Sequence, residues 1–263
     1  MAIVKMKRLR LIALLADREE LLNRLQRLGC VEVDEPENAD GDPAWAALAR
    51  PADGALQQSR ARLDRVNSAM DVIKQYGPKQ GGLKPRPEVS QARFFDDKTY
   101  AAAEETADQL CGLRREITAL EAERAKMESQ RASLAPWLEL NVPLETVSTA
   151  STTALFGTLP ADADLNEVWA ALGEAAELCA ITPAGQDREF QYLFFLCHNS
   201  VAQKALDVLQ EKGFSRGGPK GFTGTAAEND RRLVEALEDN ARRTGELKAQ
   251  AAGYAGSLQD LWQ

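Results

Sequence analysis

The residues best suited to chemistry in this 263-residue chain are few, and the two strongest candidates lie in its last third. The only histidine, His198, follows Cys197 directly and precedes Ser200-Val201-Ala202-Gln203. As a ligand pair, Cys-His would need a second pair such as CxxC or HxxxH to close a tetrahedral site, and no such pair exists. As a base in a Ser-His-Asp system, His198 would need a serine on a G-x-S-x-G turn, which is also absent. The competing reading, a strand end leading into a capped helix, is the better one. The stretch GFSRGGPKGFTGT (Gly213 to Thr225) has glycines, Lys220 and threonines before a helix start that could hold an anion. Lys220 comes before Gly221, however, so the G-x-x-x-x-G-K-[ST] order fails and a connecting loop is expected. Glu104, Glu105, Glu121, Glu123 and Asp239 fall at outward positions of expected helices, where a solvated face is the ordinary outcome. Trp45, Trp137, Trp169 and Trp262 are too scattered to form a stacking platform. No catalytic, cofactor-binding or metal-binding residues are expected.

Composition narrows the field further. Lys+Arg total 32 and Asp+Glu 40, leaving a net charge of −8, which gives no general attraction to nucleic acid or anionic lipid. No stretch approaches the ~18 consecutive apolar residues of a membrane helix. The four cysteines, Cys30, Cys111, Cys179 and Cys197, lack paired spacing and read as reduced intracellular thiols. Aromatic residues make up only 6% amid abundant Ala, Leu, Glu and Arg, which favours long helices.

The opening, MAIVKMKRLRLIALLADREELLNRLQRLGCVEV, is not a secretory signal. Its apolar run, Leu11 to Ala16, is shorter than the roughly 7–15 residues required, and Asp17 to Glu20 follows at once. It reads as β-α-β: a strand from Ile3 to Leu15, a helix capped by Asp17 with a Leu21, Leu22, Leu25 and Leu28 stripe, a stop at Gly29, and a strand from Cys30 to Val33. Residues 1–53 are thus expected to be a partial proximal α/β lobe, with a polar connector from Glu35 to Pro51. One such unit cannot bury both faces of its sheet. The helical end SLQDLWQ carries no stop signal, so partner structure beyond Gln263 is expected.

Residues 54–136 form a first helical arm: a helix over 54–76 carrying Leu56, Leu63, Val66, Met70 and Ile73, a loop over 77–96, and a long helix over 97–134 ended by Pro136. The long helix has its seam at Leu110, Leu113, Ile117, Leu120, Arg124, Met127, Arg131 and Leu134, in steps of three and four. A returning helix over 226–263 opens with the capping box Thr225 to Glu228. Its seam is Leu233, Leu237, Asn240, Thr244, Leu247, Ala251, Tyr254, Leu258 and Leu261. Each long helix spans roughly 57 Å.

Between them, residues 137–225 form a distal lobe. Strands are expected over Thr152 to Leu159, Glu177 to Pro183 and Arg188 to Leu196, with a short fourth near Phe214. Helices are expected over Ala163 to Ala175 and from Ser200 to Lys212. The βαββαβ order is the ferredoxin-like unit. Because this lobe enters and leaves at one end, the long helices should form an antiparallel hairpin whose partners' numbers sum to about 360. Arg124 then falls near Glu235, and Arg131 near Asn229 and Asp230. In the strongest strand, Phe190, Tyr192, Phe194 and Leu196 share one face and are expected beneath the helices. Gln191, Leu193 and Phe195 share the other face. These three are the candidate partner-binding residues, with self-coverage by Trp137 to Val147 as the alternative.

The strand-helix-strand start, with L-x-x-L-G-x-V-E-V at Leu25, Leu28, Gly29, Val31, Glu32 and Val33, leads into an arm, a small α/β lobe and a returning arm. This arrangement resembles the cytoplasmic N-terminal part of the membrane stator subunit of V-type and A-type rotary ATPases, subunit I or subunit a. The resemblance implies an α+β dumbbell, non-catalytic and without cofactors, at the cytoplasmic face of the membrane. It implies peripheral-stalk and other rotary ATPase subunits as partners, and a membrane domain beyond residue 263. It also implies a mechanical role: tying the ion-translocating sector to the stalk and resisting torque during proton or sodium transport. A free-standing coiled-coil adaptor and a ferredoxin-like module binding a small regulatory molecule are the alternatives.

Overall fold

A computed structural model describes residues 6–7, 9, 11–33, 54–79 and 88–262. Helix α1 (Arg18–Leu28) stops at Gly29, whose φ of 64° is the left-handed conformation that glycine adopts without strain. The flanking strands are not found among the described residues: Leu11–Leu14 and Cys30–Val33 make no ladder. Asp17 does not cap α1 through its side chain. It ends a 3-10 turn with helical backbone angles, in place of the extended angles that aim a carboxylate at the first-turn amides. Leu11, Ile12, Leu14 and Leu15 are exposed, so this segment lacks the packed face that would hold two lone strands together. The expected start at Ile3 and the connector over 35–51 lie outside the described residues.

Helix α2 (Ala55–Tyr76) is followed, after Pro78, by a short helix, α3 (Gln91–Phe94), within the span expected to be loop. Helix α4 (Asp97–Leu134) starts where the Asp96 carboxylate accepts from the Thr99 amide at 3.2 Å. Helix α7 (Ala226–Gly253) opens with the complete capping box, in which Thr225 and Glu228 satisfy each other's amides. It does not run unbroken to the end of the chain. A 3-10 turn over Tyr254–Ser257 interrupts it before α8 (Leu258–Trp262), at a place where Gly253 and Gly256 weaken helix propensity.

Between α4 and α7 sits one antiparallel sheet of β1 (Thr152–Pro160), β2 (Cys179–Gln186), β3 (Phe190–His198) and β4 (Ser215–Arg216). Its order is β2-β3-β1-β4. Helices α5 (Leu165–Ala175) and α6 (Ala202–Glu211) connect β1 to β2 and β3 to β4. The chain is therefore α+β, with long helices and one four-stranded sheet. Strand β3 begins two residues later than expected, because the Asp187 carboxylate accepts from the amides of Glu189 and Phe190, both at 2.8 Å, and holds the turn open to that point. Ser200 does not cap α6. Its hydroxyl is paired with His198 Nδ1 at 2.8 Å, and its amide donates to the same nitrogen at 3.2 Å.

Candidate functional site

The polar contacts along α4 and α7 fix the hairpin's register. Asn240 Nδ2 donates to the Leu120 carbonyl at 3.0 Å, Arg131 Nε to Asp230 at 2.7 Å, Lys248 Nζ to Glu121 at 2.8 Å, and the Tyr254 hydroxyl to Gln109 at 2.8 Å. Each pair runs antiparallel within one chain. Among the expected seam residues, Leu110, Ile117, Leu120, Met127, Leu134 and Leu261 are buried. Leu113, Leu233, Leu237, Leu247, Tyr254 and Leu258 are half-buried. Arg124 turns to Glu128 on its own helix, one turn on at 2.8 Å, and does not reach for Glu235. A guanidinium can reach an i+4 carboxylate without leaving water, which is the cheaper pairing.

The hairpin is thickened at one end. Val66, Ala69, Met70, Val72 and Ile73 of α2 pack with Ala107 and Leu110 of α4 and with Ala251 and Leu261. Ion pairs from Arg62 to Glu104 and from Arg65 to Asp108 lay α2 parallel to α4 at its rim, and Arg93 pairs with Asp260 at the far end. The first turns of α2 are different: Leu56 and Leu63 remain exposed. Arg27 of α1 lies over the Phe95 ring, and the Arg27 carbonyl accepts from Gln91.

At the opposite end the hairpin meets the sheet. Trp137, 3% exposed, sits edge-on to Phe156 and Tyr192, with ring centroids 5.5 and 5.4 Å away. Leu134, Leu140, Leu144, Ala154, Ala184, Phe194 and Ala226 complete this cluster. At Gly185, an added Cβ would stand 2.3 Å from the Pro136 carbonyl oxygen, so only glycine allows the helix end to approach the bulged strand so closely. The linker is tied back where Glu145 accepts from the Gly224 amide at 2.7 Å and the Leu144 amide donates to the Gly224 carbonyl at 2.9 Å. Tyr192 donates to Asp187 at 2.7 Å; that bond, with those from the Glu189 and Phe190 amides, holds the Asp187 carboxyl below its ordinary range.

The candidate partner-binding residues lie on the wrong face for that role. Leu193 and Phe195 are 1% and 0% exposed, packed under α5 and α6 among Val168, Leu172, Leu206 and Leu209. Gln191 is also buried; its amide donates to the Ala161 and Ala163 carbonyls at 3.0 and 2.7 Å and so satisfies the turn leading into α5. It is Tyr192 and Phe194 that face the linker. Side-chain alternation separates the two faces of a strand correctly, but both faces here are apolar and both are covered at mid-strand, with Phe190 and Leu196 of the linker side left exposed toward the strand's ends. One takes aliphatic side chains from two helices, and the other takes the aromatic linker. Counting hydrophobic residues therefore could not tell them apart. The 213–224 loop has a structural duty of its own: Gly218 lies where a Cβ would meet Phe156 at 2.6 Å. Among the described residues, no His, Cys, Asp and Glu side chains group to hold a metal, and no helix is long and apolar enough to cross a membrane.

No family model and no curated protein matches the chain. Among solved structures, it is similar to the crystal structure of the cytoplasmic N-terminal domain of subunit I, homolog of subunit a, of V-ATPase. Sequence identity is 18% and the TM-score is 0.50, over 94% of this chain and 80% of that one. The likeness is one of architecture, spanning hairpin and sheet together. The chain has the fold of that cytoplasmic domain.

Proposed function

We propose that this protein is a non-catalytic stator component of a V-type or A-type rotary ATPase. On this reading it links the ion-translocating membrane sector to the peripheral-stalk heterodimer at the cytoplasmic face. The observation that carries the proposal is the fold shared with the subunit I domain over 94% of the chain. On this reading residues 54–136 are a helical arm, 137–225 a distal ferredoxin-like lobe and 226–263 a returning helix, while the expected opening lobe over 1–53, and with it the dumbbell, lies in large part outside the described residues. The βαββαβ order and the β2-β3-β1-β4 sheet support the ferredoxin-like assignment. The antiparallel hairpin suits resistance to torque during proton or sodium transport, because bending it must disturb many seam contacts at once.

With Leu193 and Phe195 buried, the stalk contact belongs on the lobe's helices. Trp169 of α5, 42% exposed, is the large side chain there with area to offer. The test mixes the purified chain with the peripheral-stalk heterodimer of the same complex and follows co-elution and affinity. Co-elution is expected, together with at least a tenfold loss for Trp169→Glu at unchanged helical content, about the effect of one interface hot spot. Failure of the wild-type chain to bind rejects the stator reading. Wild-type binding that Trp169→Glu leaves intact rejects only the surface.

A further inference from the structure

Two of the four cysteines, far apart in sequence and without recognisable spacing, become direct neighbours in the sheet. Cys179 of β2 is the register partner of Cys197 of β3. The His198 amide donates to the Leu178 carbonyl at 2.9 Å, one residue outside the pair on each strand. That bond makes Cys179 and Cys197 a non-hydrogen-bonded pair, the antiparallel arrangement in which opposed Cα atoms stand about 4.5 Å apart and side chains are closest. Disulfides accept Cα separations of about 4.4–6.8 Å, so the backbone is already within range. Both side chains lie on the helix-covered face: Cys197 is in the core cluster and Cys179 packs at its margin. Both are free thiols, and Cys179 donates to the Ala176 carbonyl at 2.9 Å.

We propose that Cys179 and Cys197 form a reversible cross-strand disulfide, a redox clip between the outer strand β2 and its neighbour β3. The oxidant is a low-molecular-weight disulfide such as oxidised glutathione. The half-buried Cys179, as thiolate, attacks one sulfur of the oxidant and releases one glutathione thiolate. Cys197, as thiolate, then attacks Cys179 Sγ in the mixed disulfide and releases the second glutathione. Two electrons pass from the protein to glutathione. The two protons lost by the protein thiols are taken up by the released thiolates. Burial raises both protein thiols above their ordinary range, so exchange is slow near neutrality and a brief exposure leaves the pair reduced.

β2 is an outer strand of the sheet, and its first residue is Cys179, reached from α5 through Ala176 to Leu178. Oxidation would pin that entry point to β3 and leave the hairpin untouched. The experiment equilibrates the full-length chain in glutathione buffers from fully reduced to fully oxidised, with long incubation. The samples are then quenched in acid, alkylated and mapped by mass spectrometry. The expected result is loss of two of the four alkylatable thiols, a Cys179–Cys197 linked peptide lighter by two hydrogens, an unchanged far-UV spectrum, a raised Tm and full reversal by dithiothreitol. Cys179→Ala should abolish the Tm rise while keeping the reduced fold. All four thiols remaining free at the oxidised limit would overturn the proposal, as would bridges involving only the exposed Cys30.

Discussion

The hairpin has one heptad pattern but two different interiors. At its base, α2 lies against α4 and α7, and Ala69, Ala107, Leu110, Ile117 and Ala251 are wholly buried. Along its neck, from about residue 120 to 134, only α4 and α7 face each other. There Leu120 and Met127 keep 8% of their surface, Arg124 is exposed, and Asn240 brings polar atoms to the seam. Two helices cannot enclose a seam, whereas three can. The same spacing thus gives a dry core in one place and a solvent-edged, partly polar strip in another. The third helix, not the heptad, separates them.

The largest test of this contrast is to truncate one leucine-sized residue in each region. Leu110→Ala should destabilise by about 3–5 kcal/mol, because closely packed neighbours cannot collapse onto the cavity. Met127→Ala should cost about 2 kcal/mol, because an open-sided strip can relax. Urea unfolding followed by circular dichroism measures both, and equal losses would erase the distinction.

A second test acts on the neck alone. Asn240 Oδ1 is buried without a partner, so Asn240→Leu should raise stability by about 1–2 kcal/mol. It should also remove the Asn240–Leu120 bond, which favours one register. Cysteines replacing Ile117 and Arg243, which the register places opposite each other, should cross-link within the chain in wild-type background and less completely beside Asn240→Leu. Bridging only between chains would reject the hairpin itself.

Acid should loosen the base at the start of α4 before the neck. The Thr99 hydroxyl and amide hold the Asp96 carboxyl below its ordinary value. A group depressed in the folded state contributes stability above its unfolded value, near 4, and loses it as pH falls through the folded value. With the intrinsic pH dependence of exchange divided out, the protection factors of the Thr99 and Tyr100 amides should therefore fall on acidification, and Asp96→Asn should flatten that response. An acid response unchanged in Asp96→Asn would remove the cap from the explanation.

The smallest effect is expected from Arg131→Met. Its pair with Asp230 is partly solvated, and the long stem that covers the seam is retained in methionine. A change in Tm below that of Met127→Ala, shrinking further at high salt, is the expected outcome. A loss matching Leu110→Ala would mean that the neck depends on charge and not on packing.

Much of this could be read beforehand because it depends on local rules. Asp97 to Leu134, the Thr225 capping box and the order of strands and helices in the lobe follow from periodicity and capping chemistry. The packing of Arg131 against Asp230 followed from closing the hairpin at the lobe. What could not be read was which neighbour covers which face. Nothing in the α2 sequence distinguishes its exposed Leu56 from its buried Ile73 until α4 and Leu261 are placed beside it. Leu193 and Phe195 were set on the open face because both sides of β3 are apolar. The opposition of Cys179 and Cys197 required the ladder register, which depends on the Asp187 turn that delays the strand to Phe190, two residues beyond its expected start.

The missing Cβ at Gly185 governs how force passes between parts. Pro136 ends α4 directly against that residue, and Trp137 is held between two rings on the same sheet face. A flexible tether would let the lobe swivel and dissipate any load as rotation. On the proposed stator reading the joint would work as a weld: a push applied to the lobe would arrive at the base as leverage along the whole length of the hairpin. Restoring a side chain with Gly185→Ala would pry the joint open, so the lobe could stay folded while losing its fixed angle to the shaft.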